Sequence, residues 1–391
     1  GGIMGCMAAL KLAKSGVSVV LLEAGRIAEG ASSRAGGFVV PHFSFGNPKT
    51  LIDELGQQGD KMVRMVGQSA SRVFDVVKEH GIKCNARQGG WYQPAHSDKA
   101  LGEIETIAQA WKDLGFPAEQ ITARETADRT GVPGYKGSWF NPTGGTLHPL
   151  DYTKGLVEAA KRAGATVFEN SPVHSIRKRG DSFNLATKDG QIKSKQVLVA
   201  TNALSKGLVP QLEQSVLQIK VWQCGTEPLA PEKRAHLFKK GECLSDTRSN
   251  LFTYRFDSDW RLITGALSAF GTPPSRIASS MERRFQRMLG LSERPLVNYL
   301  WQGTAAMTPT KLPEIRKTRD GIISATACNG RGIALATVVG EALADALISD
   351  SFEDLPLLHN LDQNRISLKL QQAMVGLFPY YGKITDWLST H

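Results

Sequence analysis

The chain has 391 residues, 47 Lys and Arg against 37 Asp and Glu, and a formal net charge of +10; with 41% hydrophobic and 21% charged residues it is not a disordered or fibrous chain, and its length suits two domains. The basic residues are scattered, without zinc-finger spacing, an RRM signature or a long basic tract, so the charge suggests anionic small molecules or surfaces and no nucleic acid. Cys6, Cys84, Cys224, Cys243 and Cys328 are odd in number and widely spaced, which excludes a disulfide framework and a clustered metal site and predicts a reducing, cytoplasmic setting; no apolar run has the length of a transmembrane span.

The opening GGIMGCMAALKLAKSGVSVVLLEAG has apolar residues at helical spacing from Cys6 to about Ser15, then a continuous apolar run from Val17 to Leu22. Glycine turn, helix, buried strand is the back half of a βαβ unit. Gly2 and Gly5, with Gly1 beside them, fit the last two glycines of G-x-G-x-x-G, one for backbone approach to a pyrophosphate and one for close helix–strand packing. Glu23, eighteen residues after Gly5, stands where a carboxylate accepts hydrogen bonds from a ribose. The first glycine and first strand of such a unit are expected from residues ahead of Gly1, together with any targeting segment. In the following loop Ser32, Ser33, Gly36 and Gly37 offer hydroxyls and open amides to a pyrophosphate, and Arg34 either contacts that phosphate or caps a solvent-facing turn.

Asp53 to Glu79 reads as one long helix or two abutting ones with a core stripe through Met62, Val66, Val73 and Val76. Arg87 to Gln93 is strand-like and Leu101 to Leu114 helical, and Trp91, Tyr92, Trp111 and Trp139 are expected between layers. After Gly144 a helix follows Asp151 as far as about Arg162, then a strand from Thr166 to Glu169, then strands Phe183–Thr187 and Gln196–Ala200 around an Asp189-Gly190 turn. Thr201 and Asn202 close a parallel strand at the end where ligands collect in open α/β sheets.

Residues 217–266 are strand-rich, and alternation puts Tyr254 and Arg255 on opposite faces of one strand. A helix from Ile277 to Leu289 precedes a last strand, GIISATA. In CNGRG the amides of Arg331, Gly332 and Ile333 fall at the positive end of an apolar helix running to Leu347. The two ends of the chain therefore meet at one ligand, with a second domain inserted between them. The tail through LFPYYGKITDWL is read as packing on its own protein, with a shallow peripheral membrane contact as the minority reading.

Taken in order, GGIMG, Glu23, GASSRAGG, GTLHPLDY, VLVATNA, SDTRSNLFTYRFDSDWRLITGA, WQGTAAMTPTKLPEI and CNGRGIALATVVG resemble the FAD-dependent D-amino-acid and amine oxidoreductases, nearest to the gamma-glutamylputrescine oxidase branch, over roughly residues 1–347. The resemblance implies an α/β fold of the glutathione-reductase-like kind: a Rossmann-like FAD-binding domain (1–50, 146–214 and 307–350) with an interleaved antiparallel-sheet substrate domain (51–145 and 215–306) and a C-terminal helical tail (351–391). It implies that Gly1, Gly2, Gly5 and Glu23 meet the FAD diphosphate and ribose, that Ser32, Ser33, Arg34, Gly36 and Gly37 wrap the diphosphate and flavin side, that Val173 lies by the adenine and Thr201 closes that region, and that Asn329, Gly330, Arg331, Gly332 and Ile333 hold the pyrimidine edge of the flavin.

The departures bear on substrate. Where sarcosine oxidases carry a carboxylate-binding lysine the chain has Ala334, and where glycine-oxidase-like enzymes carry an arginine it has Ala305 and Ala306. Arg255 is the candidate replacement. Met307 and Arg34-Ala35 occupy the places where a covalent flavin link would be sought, and Cys328 reads as a packed residue, so FAD is expected to be noncovalent. The implied reaction is oxidation of an amine C–N bond, a hydride equivalent passing from the α-carbon to the flavin and the imine hydrolysing, with oxygen or an electron-transfer acceptor as oxidant. Candidate pocket residues are His42, Phe43, His148, Tyr254, Arg255 and Trp301; either histidine could instead tie loops together. Rival readings are an amino-acid or sarcosine-type oxidoreductase, a flavoprotein feeding a membrane quinone through an aromatic face at Leu377–Leu388, and a nonenzymatic FAD-binding protein; assembly into a homo-oligomer stays open.

Overall fold

The computed structural model describes residues 1–360 except residues 45, 206, 210–211, 213–215, 269–270, 309 and 327–328. The expectations for Cys328 and for the Leu377–Leu388 face lie outside the described residues.

The helix Ile3–Lys14 starts directly from extended Gly2 and buries Ile3, Met4, Cys6, Met7 and Leu10. It packs on two other helices, Pro149–Arg162 and Gly332–Ser349. The last contact explains how the chain ends meet: a Cβ on Gly340 would stand 2.5 Å from the Met4 carbonyl oxygen, so only a glycine lets the two helix backbones approach this closely. Gly332–Ser349 is long and apolar enough to cross a membrane, and 61% of it is buried inside the fold, where it serves as a core helix.

Two sets of strands flank these helices. Val20–Leu22 runs parallel to Thr166–Phe168. Leu198–Val199 runs parallel to Ile323–Thr326, which continues antiparallel to Glu314–Lys317. The Asp189-Gly190 turn joins Ser182–Ala186 to Gln191–Ser194. The expected partner, Gln196–Ala200, instead leaves to supply Leu198–Val199 of the parallel set. The sequence QIKS alternates too weakly to be read as a strand, whereas the apolar VLVA run belongs to a buried parallel position.

The third layer is an eight-stranded sheet in the order Val297–Met307, Leu217–Pro228, Arg261–Ala266, Thr253–Phe256, Cys243–Ser245, Trp91–Pro94, Gly137–Asn141 and Glu119–Thr122. It is mixed and departs from the all-antiparallel expectation at one seam, where Cys243–Ser245 runs parallel to Trp91–Pro94. Those strands come from distant segments, so no hairpin forces them antiparallel. The long helical segment after residue 47 is two helices, Pro48–Leu55 and Gln57–His80, broken at Gly56 with φ +56°. Trp91, Tyr92, Trp111 and Trp139 are all buried between layers. The fold is thus α/β, with a Rossmann-like half and a mixed sheet.

Candidate active site

A cavity of about 1760 Å³ lies between the helix–parallel-strand half and the inner face of the large sheet. That exceeds the roughly 300–1,000 Å³ typical of a site for one small ligand.

One wall is built largely from main chain. Gly1, Gly2 and Gly5 line it from the start of Ile3–Lys14. A Cβ on Gly2 would fall 2.8 Å from Ser32 Oγ, and that hydroxyl accepts a hydrogen bond from the Ile3 amide at 3.1 Å, so the first helical turn and the serine loop are locked together. A Cβ on Gly5 would sit 3.3 Å from that of Ala200, the close helix–strand packing the motif demands. Glu23 ends its strand with the carboxylate held by the Gly25 amide at 2.9 Å. Arg34, Gly36 and Gly37 continue the wall. Gly37 has φ +82°, and its missing side chain leaves room for the Leu147 carbonyl, which would lie 2.3 Å from a Cβ. Val173, Thr201 and residues 329–333 complete it. Of the residues assigned to the cofactor, Ser33 alone stands outside the lining; its hydroxyl reaches back to the Gly30 carbonyl at 3.5 Å.

The opposite wall is built from side chains at alternate strand positions. Ile219, Val221 and Gln223 face the cavity from one strand, and Gly303, Ala305 and Met307 from its neighbour. The register pairs Ile219 with Ala305 and Val221 with Gly303. This apolar surface continues to a polar end formed by Gln93 and Ser245–Arg248. Gln93, Gln223 and the Ser245–Arg248 turn were not singled out from the sequence. Alternation reveals that a strand has two faces but not which face the ligand; the polar SDTRS run between two apolar strands was the available signal.

The five residues proposed for catalysis do not line the cavity, and each has another position. His42 is buried among Trp91, Trp111 and Trp139, its ring 4.7 Å from that of Trp139. The Trp111 indole N–H donates to His42 Nδ1 at 3.1 Å. An indole can only donate, so Nδ1 carries no proton and the ring is neutral; burial first, and the Arg331 charge second, push its pKa well below the ordinary value. Phe43 stacks on Trp111 in the same cluster. His148 caps the helix Pro149–Arg162 at the surface and lies 2.8 Å from Asp151. Tyr254 is fully buried in the core behind the sheet, where burial raises its pKa and its hydroxyl has no partner among the described residues. Arg255, on the opposite face as expected, donates through Nε to the Gly36 carbonyl and through Nη1 to the Phe256 carbonyl at 3.0 Å. Burial lowers its pKa to about 10, which leaves it charged at neutral pH. Trp301 donates to the Arg34 carbonyl at 3.0 Å. Arg255 and Trp301 thus reach from the sheet to hold the 34–37 loop from behind.

Several buried polar atoms in the cavity wall have no partner among the described residues. They are the acceptors Gln93 Oε1, Gln223 Oε1 and Asn202 Oδ1 and the donors Asn329 Nδ2 and Arg331 Nη1. Asn329 is oriented: its Oδ1 accepts from the Thr308 amide at 2.9 Å, which turns the NH₂ away, and its backbone takes a left-handed φ of +39° at the strand-to-helix junction. Unpaired buried donors and acceptors cost free energy, so a wall that concentrates them is built to meet a polar ligand.

Residues 1–346 match the family model described as FAD dependent oxidoreductase. The chain belongs to that family. It is 28% identical to the gamma-glutamylputrescine oxidoreductase of Escherichia coli over 91% of this chain and 85% of that protein, and 27% identical to the probable oxidoreductase OrdL of Haemophilus influenzae over 89% and 81%. The fold superposes on the glycine oxidase of Geobacillus kaustophilus with a TM-score of 0.77 at 19% identity, covering 94% of this chain and 97% of that one. Membership makes this an FAD-dependent oxidoreductase, and the cavity fits that group: a glycine cradle at one end that a Cβ would fill, and at the other an 18-residue helix whose N-terminus is flanked by an unpaired amide donor. The family's chemistry is oxidation of a C–N bond in an amine or amino acid.

Proposed function

We propose that the substrate is an amine whose acidic group lies beyond the reacting carbon, a gamma-glutamylated diamine or a related N-substituted amine, and that FAD is held noncovalently. The observation that carries this reading is the shape of the substrate wall, an apolar strand surface through Ile219, Val221, Ala305 and Met307 that ends in polar groups at Gln93 and Ser245–Arg248. A small α-amino acid would leave much of that length empty, and the two alanine positions offer it no charge: Ala305 faces the cavity and Ala334 is buried in the core. The likeness to gamma-glutamylputrescine oxidoreductase points the same way. Noncovalent attachment is supported by the wall chemistry: none of the four described cysteines lines the cavity, and the lining histidine among the described residues, His174, stands next to Val173 at the end proposed for the adenine, away from the flavin end at residues 329–333.

FAD supplies the hydride acceptor when bound. The protein's share is placement and charge. The apolar strand face aligns the carbon chain and excludes water from it. Gln93 Oε1 and Gln223 Oε1 accept hydrogen bonds from the substrate nitrogen. Asp246 is tied to Arg248 and, at 3.1 Å, to the Tyr135 hydroxyl, so no free carboxylate of that turn stabilises an ammonium and the neutral amine is the form that reacts. Across the cavity the helix N-terminus at Gly332 and Asn329 Nδ2 present positive charge where negative charge develops.

Anaerobic stopped-flow bleaching of the bound flavin tests the substrate class without assuming an acceptor. A gamma-glutamylated diamine should reduce it faster than glycine, sarcosine or common D-amino acids. Fast, saturable reduction by a small α-amino acid with no response to the extended amine would replace this reading with an amino-acid-type oxidoreductase. Acid precipitation should leave the yellow cofactor in the supernatant; a coloured pellet would refute noncovalent binding.

A further inference from the structure

Three arginines approach the cavity from the sheet or the helix end, and their surroundings decide which can take an acidic substrate group. Arg255 is behind the 34–37 loop, committed to two backbone carbonyls. Arg248 lines the cavity, but its charge is met by Asp246, whose side chain is fully buried and which accepts from both the Arg248 guanidinium and its amide. The pair is neutral as a unit and is braced by Phe252, 4.9 Å from the guanidinium carbon.

Arg331 differs from both. It lines the cavity, and among the described residues no carboxylate forms an ion pair with it. Its guanidinium lies over the Trp91 ring, 4.9 Å from the centroid, and Nη1 is buried with no hydrogen-bond partner. Burial alone lowers its pKa to about 10, so it is a cation at neutral pH. The neighbouring His42 is neutral and offers no counter-charge. The indole face beneath it restrains the guanidinium, and Trp91 is itself anchored by its indole N–H on Ser245 Oγ at 3.2 Å, at the polar end of the cavity. A half-buried guanidinium with a buried, unpartnered Nη1 is costly unless an anion completes it, and the fork geometry matches a carboxylate.

We infer that Arg331, stacked on Trp91, is the residue that binds the substrate carboxylate and so replaces the charged handles missing at Ala305 and Ala334. The main chain of Arg331 remains part of the cofactor wall while its side chain crosses to the substrate wall. The inference rests on the amine-oxidation reading for the identity of the substrate, but not for the anion site itself.

The test uses FAD-loaded full-length protein and acetate as an unreactive probe, with acetamide as its neutral counterpart, read by perturbation of the flavin absorbance. Acetate should bind and acetamide should not. Arg331→Gln should weaken acetate at least about tenfold, as expected for loss of a charged hydrogen-bonding partner, while Arg331→Lys should retain part of the binding. The surface variant Arg124→Gln, which removes a guanidinium outside the cavity, should change acetate affinity less than about threefold. Melting temperature and FAD content are measured for each variant. Unaltered acetate binding in Arg331→Gln, an equal loss in Arg124→Gln, no acetate binding by the wild type, or loss of FAD from a folded Arg331→Gln protein would each overturn the assignment. If acetate binding depends on Arg331 but no amine bleaches the wild-type flavin, the anion site stands and the proposed reaction fails.

Discussion

The two walls of the cavity are made of different material. The wall proposed for the cofactor is main chain: glycines, loop amides and two helix starts, held so closely that a Cβ on Gly37 would collide with a carbonyl oxygen. The wall proposed for the substrate is side chains on strands, every second one lining the cavity. A main-chain wall fixes one ligand shape and tolerates almost no added atoms. A strand face can exchange Ala305 or Gln223 for other residues while its ladder is untouched, so one fold can keep its cofactor and change its substrate. The two materials meet where Arg255 and Trp301 reach across from the sheet to the 34–37 loop.

The sharpest way to break this contrast is to add atoms to the main-chain wall. Gly37→Val combines a positive φ with a backbone collision, and we expect a loss of about 3 kcal/mol of stability together with FAD binding, read by thermal melts and by FAD titration of apoprotein. Full flavin occupancy at an unchanged melting temperature would show that the wall yields. Arg255→Met comes next. It leaves the Gly36 carbonyl without its donor, and FAD affinity should fall about tenfold or more while neutral and acidic amines lose rate alike; selective loss for acidic amines would return Arg255 to the substrate wall.

His42 sharpens the comparison from the aromatic cluster beneath both walls. Its folded-state pKa is depressed by burial and Arg331, so its contribution is complete above the unfolded value of about 6.5 and is lost as pH falls below it, because only the unfolded imidazole accepts a proton. Between pH 7.5 and 5 the wild type should lose up to about 2 kcal/mol more than His42→Gln, whose amide oxygen can still accept from Trp111; parallel pH profiles of denaturant midpoints would refute a buried neutral histidine. The smallest effect is expected from Arg34→Ala. Its Nε is spent on the Glu29 carbonyl at 3.3 Å and the residue is exposed, so FAD affinity should shift less than about threefold; a larger loss in the same titration would make it a phosphate ligand.

Most of the residues in the glycine-lined wall of the cavity were singled out from the sequence. Gly2, Gly5, Glu23, Gly36 and Gly37 reveal themselves because glycine spacing and strand ends are local requirements of the backbone, expressed within one turn or one strand. The apolar Gly332–Leu347 run announced a buried helix for the same reason. The substrate wall was not legible, since His42, His148, Tyr254, Arg255 and Trp301 are plausible by residue type and none of them faces the cavity. The same limit applies to the hairpin partner Gln191–Ser194, which alternates between exposed and half-buried positions but has only one apolar residue, Ile192, to mark its inner face.

By itself, then, the sequence determined the Rossmann-like half, through local glycine and strand patterns, and the family with its FAD cofactor, through the resemblance carried by the order of motifs along the chain. Only the tertiary structure decided which of Arg248, Arg255 and Arg331 remains an unpaired cation in the cavity. That choice depends on contacts between residues far apart in the chain: Arg255 with Gly36, Arg331 with Trp91, and the Asp246–Arg248 turn seated beside Tyr135. A guanidinium has the same chemistry at all three positions, and its role is set by which acceptors the folded chain brings within reach.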